Sequence, residues 1–149
     1  MTARKTTTDV PYTAEQMFDL VADVKRYPEF LPWCNALRIV KSDVADGQGT
    51  MTADMVVAYK VFRERFRSQV SLNRSDKEIE AAYLDGPFRN LENHWRFEDK
   101  PEGGSRIHFE IDFEFKNFLL QATAQAVFDK AFSRMSEAFV ERAHEVYGD

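Results

Sequence analysis

At 149 residues the chain has the length of one domain, 1–149, and its net charge of −5 has the wrong sign for wholesale nucleic-acid binding, so no DNA partner is expected. The single Cys34 excludes an internal disulfide and fits a reducing compartment. Thirteen Phe, five Tyr and two Trp beside a charged fraction of 30% point to a large aromatic interior, filled or hollow, under a hydrated surface. No apolar run approaches ~18 residues, as a membrane-spanning helix needs. Met-Thr-Ala-Arg-Lys is too short and polar a start for a signal peptide. The expected location is cytoplasmic, with peripheral contact to the inner membrane as the membrane association left open.

In chain order, Lys5 to Val10 is Thr-rich and reads as a first strand that Pro11 ends. Thr13-Ala-Glu-Gln16 is a capping-box pattern, flanked by Tyr12 and Met17 as a hydrophobic staple. It opens a short helix with Met17, Phe18, Leu20 and Val21 on its buried side. Asp23 is placed to cap a second short turn, which Pro28 closes. Phe30-Leu31-Pro32-Trp33-Cys34 follows, apolar but barred by its proline from regular helix. It serves either as core filler or as a loop at a cavity mouth or membrane surface.

From Leu37 the pattern is β. Leu37–Val44 is a strand, and Asp46-Gly47-Gln48-Gly49 a turn. Met51, Ala53, Met55, Val57 and Tyr59 alternate next. Phe62, Phe66, Val70 and Leu72 then share a face, with Arg63, Arg65 and Arg67 on the other. Glu78 to Leu84 is a strand with Ile79, Ala81 and Tyr83 inward. After Asp85-Gly86-Pro87 come Leu91, Asn93, Trp95 and Phe97, again alternating. After Pro101-Glu102-Gly103-Gly104 comes the most regular strand of the chain, with Ile107, Phe109, Ile111, Phe113 and Phe115 on one face and Arg106, His108, Glu110, Asp112 and Glu114 on the other. Asn117 then caps a long helix in which Leu120, Ala124, Val127, Phe128, Ala131, Met135, Ala138, Phe139 and Arg142 recur at helical spacing. The predicted fold is α+β: a curved antiparallel sheet of about six to seven strands wrapped on a long C-terminal helix, with two short helices after the first strand.

Chemistry-bearing motifs are sparse. His94, His108 and His144 have no zinc-ligand spacing, the carboxylates form no metal loop, and no phosphate loop or nucleophile elbow is present, so neither a metal nor a required cofactor is expected. Cys34 reads as a buried thiol. The arginine stripe offers itself to phosphates. Cross-strand pairing with Glu78 and Glu80 accounts for it better, and His94 and Arg96 are similarly placed beside Glu110, Asp112 and Glu114. More informative are polar residues on apolar faces: Asn93, Glu64 and Ser68. They serve a ligand's polar head, each other, or a bulge.

Several segments resemble one family. Val10-Pro-Tyr-Thr-Ala-Glu-Gln-Met-Phe-Asp-Leu-Val21, Tyr27-Pro-Glu-Phe-Leu-Pro-Trp-Cys34, Leu84-Asp-Gly-Pro-Phe88, Asp112-Phe-Glu-Phe115 and Phe139-Val-Glu-Arg-Ala-His-Glu-Val-Tyr-Gly148 are similar, in order, to the coenzyme Q-binding, START-like group of the polyketide cyclase/dehydrase superfamily. That group includes bacterial ribosome association toxin-type proteins. The resemblance implies a helix-grip fold with an apolar cavity that binds a polyisoprenoid quinone such as ubiquinone, in a non-enzymatic carrier or chaperone for respiration. On that reading Phe30, Leu31, Trp33, Met55, Val57, Phe66, Val70, Trp95, Phe113, Leu120, Phe128, Met135 and Phe139 are the expected cavity wall, and Ser68 and Asn93 the polar handles. Two alternatives stand beside it: a ribosome-associating protein that blocks subunit joining, supported by the arginine stripe, and a cyclase-like enzyme, for which Glu64 and Tyr83 are the nameable candidates.

Overall fold

The computed structural model describes residues 2–31, 33–59 and 62–148, with the side chains of 2, 59, 62, 124 and 126–129 outside the description. Seven strands form one antiparallel sheet: β1 (Thr2–Val10), β2 (Cys34–Ser42), β3 (Gln48–Tyr59), β4 (Phe62–Asn73), β5 (Glu78–Asp85), β6 (Phe88–Asp99) and β7 (Ser105–Phe115). Their order is β1-β7-β6-β5-β4-β3-β2, so β2 to β7 are successive hairpins and β1 closes onto the last of them. Helices α1 (Ala14–Ala22) and α2 (Tyr27–Phe30), joined by a 3-10 turn at Val24–Arg26, separate β1 from β2. Helix α3 (Phe118–Tyr147) is 30 residues long, or ~45 Å. This is the curved sheet and long helix expected from the alternation and the C-terminal periodicity.

The local signals act as their chemistry requires. The Thr13 hydroxyl accepts from the Gln16 N–H at 3.1 Å, and the Gln16 side chain accepts from the Thr13 N–H at 2.9 Å, completing the capping box of α1. The Asn117 side-chain oxygen accepts from the Leu119 and Leu120 N–H groups at 2.7 and 3.1 Å, starting α3. Asp23 makes no side-chain cap bond. Pro28 stands in the first turn of α2 rather than closing the turn before it, because an initial helical position needs no N–H donor.

Two strands have bounds that differ from the alternation. β1 begins at Thr2, since its polar residues still find a full ladder on β7, from Thr2↔Phe113 to Val10↔Ser105. β2 runs Cys34–Ser42, starting three residues before Leu37 and ending two before Val44, with register shifts between Cys34 and Ala36 and between Ile39 and Lys41. Such bulges break the period of two and hide the strand's start. The charge ladder also differs. Glu78 and Glu80 stand opposite Asn73 and Ser71, not the arginines. Arg67 instead binds Asp54 of β3 through two bonds of 2.7 and 3.0 Å, and His94 binds Glu78 at 2.7 Å.

Helix α3 docks through its C-terminal half. Ala138, Phe139 and Ala143 are buried, and the Phe139 ring meets Tyr27, Phe30 and Trp95 at 5.5, 5.2 and 5.1 Å. Arg142 binds Glu29 at 2.8 Å, and Arg26 shares that carboxylate at 3.0 Å, which fastens α2 to α3. Tyr147 donates to the Gln16 carbonyl at 2.8 Å, and Tyr12 bonds His144, which fastens α1 likewise.

Candidate ligand-binding cavity

Two aromatic groups anchor the concave face of the sheet. One surrounds Trp95, whose ring lies 4.3 Å from Phe109 and 6.1 Å from Phe97. The other surrounds Phe88, 4.3 Å from Phe115 and 5.3 Å from Phe66. Between them the inward positions of the central strands are small: Ala53 stands opposite Ser68, and Ala81 opposite both Val70 and Asn93. The ring groups prop the sheet and helix apart, and short side chains leave the middle unfilled.

The result is a partly open, mainly apolar cavity of about 270 Å³ between the sheet, the α2–β2 corner and α3. That is near the lower end of small-molecule sites, ~300 Å³. The corner contributes Val24, Tyr27, Leu31 and Trp33; α3 contributes Ala131, Phe132, Met135 and Phe139. Burial raises the Tyr27 hydroxyl pKa well above the usual tyrosine range, and the hydroxyl is bonded to the Val21 carbonyl at 2.5 Å. It is therefore a fixed wall group. Burial also pushes the Cys34 thiol up to about 11.

Of the residues expected in the wall, Leu31, Trp33, Met55, Val57, Phe66, Val70, Trp95, Phe113, Met135 and Phe139 line this space, as do Ser68 and Asn93. Two do not. Phe30 turns away from the cavity into a packing contact with Tyr27 and Phe139, with the Arg142 guanidinium 5.2 Å over its ring. As the last residue of α2 it faces α3, a direction that its place beside a proline-containing segment did not reveal. Leu120 packs against the Phe88 group and is not among the lining residues. The Phe128 side chain and Pro32 lie outside the described residues.

The wall also holds residues that the sequence reading passed over. Phe132 stacks on Phe109 at 5.8 Å. Its signal was present, since it is three residues before Met135 and seven before Phe139. Phe88 follows a turn, so alternation was silent about it. The turn itself is drawn tight by Gly86, whose φ of +142° and contact with Phe66 leave no room for a side chain: a Cβ there would stand 2.8 Å from that of Phe66. β5 and β6 pair only from Glu78↔Arg96 to Ala82↔Glu92, so the hairpin parts beyond them and Phe88 folds inward.

Glu64 lines the cavity as well and makes no side-chain hydrogen bond or ion pair among the described residues. Tyr83 is not in the wall; its hydroxyl accepts from the Phe88 N–H at 3.1 Å. The two cyclase candidates are thus not brought together on a reacting centre. Arg63 and Arg65 project from the exposed face, and among the described residues Arg67 alone of the stripe is paired. Among the described residues no helix is long and apolar enough to cross a membrane.

Residues 10–140 match the family described as polyketide cyclase / dehydrase and lipid transport. The chain belongs to this family. It is 41% identical over 140 residues to the ribosome association toxin RatA of Escherichia coli K12, covering 93% of this chain and 84% of that protein. It is 33% identical over 141 residues to the Xenopus laevis coenzyme Q-binding protein COQ10 homolog B, mitochondrial, covering 92% of this chain and 56% of that one. The solution structure of an 18 kDa protein from Caulobacter crescentus superposes with a TM-score of 0.82 at 34% identity, over 100% of both chains. The similarity to both RatA and the COQ10 homologue matches the two branches that the sequence motifs suggested.

Proposed function

We propose that the chain binds a polyisoprenoid quinone, ubiquinone or a near relative, in the cavity between sheet and α3, and that it acts as a non-enzymatic carrier. The observation that carries the reading is the cavity itself: aromatic and aliphatic on nearly all sides, with isolated polar groups at Glu64, Ser68 and Asn93. An isoprenoid tail has no charge to read and gains ~0.8 kcal/mol per buried CH₂ from such a wall. A space of about 270 Å³ suits a substituted ring and the start of its tail, so a longer tail must follow the open side. Met55 and Met135 supply adaptable surface there. Similarity to the Xenopus coenzyme Q-binding protein homolog supports the same ligand. On this reading the protein works in the cytoplasm and meets the inner membrane only to exchange its ligand. Mass spectrometry of an organic extract of the purified protein tests it. Quinone at substantial occupancy is expected; none recovered, with no uptake of added quinone, refutes it.

A second reading has its own support. Similarity to RatA, with Arg63 and Arg65 exposed and unpaired among the described residues, fits a surface that meets ribosomal RNA phosphates. Sedimentation of ribosomes with added protein decides it. A shift from joined to free subunits, lost on Arg63→Glu with Arg65→Glu, is the expected sign; an unchanged profile removes the reading.

A further inference from the structure

Glu64 is a carboxylate in an apolar wall, with no side-chain hydrogen bond or ion pair among the described residues. It projects from β4 on the face that carries Phe66 and Ser68, and Val57 of β3 stands opposite it. The neighbouring Arg63 and Arg65 alternate onto the other face, so neither supplies a countercharge. A carboxylate accepts hydrogen bonds and gives none, whereas the Ser68 hydroxyl and the Asn93 amide can do both. Such a wall sorts ligands by what they donate. A quinone offers two carbonyl oxygens, both acceptors, and against Glu64 lone pairs would face lone pairs. The hydroquinone, richer by two electrons and two protons, offers two O–H donors. One can donate to Glu64 and the other to the Ser68 hydroxyl oxygen or the Asn93 carboxamide oxygen. The Cα atoms of Glu64 and Ser68 lie ~13 Å apart along an extended strand with Phe66 between them on the same face, so a para-dihydroxy ring spanning the two would lie over the Phe66 side chain with a hydrogen bond at each end.

We propose that Glu64 makes the cavity selective for the reduced, hydroxyl-bearing form of its ligand, a hydroquinone rather than the quinone. The inference rests on the quinone-binding reading above and adds the redox state to it. Tighter binding of the reduced form raises the midpoint potential of the bound couple, by about 30 mV for each tenfold preference. The test uses the full chain without oxygen, with a short-tailed ubiquinone and its borohydride-reduced hydroquinone titrated separately and the bound fraction extracted after rapid gel filtration. Hydroquinone is expected to bind about tenfold more tightly, as one hydrogen bond to a charged acceptor would give. Glu64→Gln, whose amide can donate to a carbonyl, should bring the two forms within about twofold and return the potential to that of the free couple. Glu64→Leu should bind both forms with no preference. Equal binding of the two forms by the native chain, or a preference that survives Glu64→Gln, overturns the proposal while leaving quinone binding intact. Binding of neither form overturns the quinone reading and this proposal with it.

Discussion

Ala81→Leu separates a hollow interior from a full one by the sign of its effect. Ala81 faces the cavity from β5, between Val70 and Asn93, where no large side chain occupies the middle of the sheet. The substitution adds three carbons. In an open cavity their burial is worth about 2.4 kcal/mol at ~0.8 per carbon, less ~0.5–1 kcal/mol for fixing a leucine rotamer, for a net gain near ~1.5 kcal/mol. In a close-packed core the same change would cost about 1–3 kcal/mol through overpacking. With a urea m-value of about 2 kcal/mol/M, the midpoint rises by roughly 0.7 M in the first case and falls in the second. The leucine would also occupy ligand space. Displacing about three buried carbons of ligand should weaken uptake of a short-tailed ubiquinone roughly fiftyfold. Urea unfolding and extraction of bound quinone on the same samples check both effects. A destabilised variant with unchanged uptake would refute the reasoning. Trp95→Ala is a poorer test, because Trp95 also holds Phe97, Phe109 and Phe139 in the main core, and its loss costs about 3–5 kcal/mol of fold.

Three further outcomes follow from particular contacts. Asn117→Ala removes the acceptor for two N–H groups of α3 and should cost about 1 kcal/mol, read as a lower urea midpoint with unchanged m. The Cys34 thiol, 3% exposed and with its pKa raised to about 11 by burial, should resist alkylation in the native protein. At about pH 8 only about a thousandth of it would be thiolate, against roughly a quarter for an ordinary cysteine, so the native rate should rise steeply toward the denatured rate on adding urea. Asp54 is held below the usual carboxylate range chiefly by its hydrogen bond from Arg67, with burial opposing and Arg38 assisting. Its folded pKa lies below its unfolded one, so its contribution is fully present above the unfolded value of ~3.9 and disappears as pH falls through the folded value. The thermal midpoints of native chain and Asp54→Asn should therefore differ near neutral pH and converge below about pH 4.

The sheet and α3 were legible because one face of each is wet and the other is not. β7 shows this most clearly, with aromatic and branched residues at every second position from Ile107 to Phe115. The start of β2 was hidden because two bulges change which face its residues meet, and a bulge leaves no mark on composition. The cavity wall was partly legible for the same reason as the sheet: inward residues near the middle of a concave face line whatever lies inside it. Phe30 and Leu120 could not be sorted this way. Both are apolar and half-buried, but what each meets depends on how α2 and α3 lie across the sheet. That placement is fixed by contacts far apart in sequence, such as Arg142 with Glu29 and Phe139 with Trp95. Phe88 was missed for a related reason, since its inward turn follows from the parting of β5 and β6 and the tight glycine before it.

The hollow itself argues against a merely structural core. An unfilled apolar space destabilises a fold in proportion to its volume, and water entering through the open side recovers only part of that loss. A few larger side chains at Ala53, Ser68 or Ala81 would recover part of it, with no change to the ring groups that set the spacing of sheet and helix. A chain with thirteen phenylalanines instead keeps its smallest residues in the middle of the concave face. A bound molecule would resolve the conflict, because it would supply the missing apolar contact and stabilise the fold by mass action, ~2.7 kcal/mol at a hundredfold excess over Kd. The small side chains at Ala53, Ser68 and Ala81 on three neighbouring strands, more than the abundance of aromatic ones around them, are what would distinguish a container from a core.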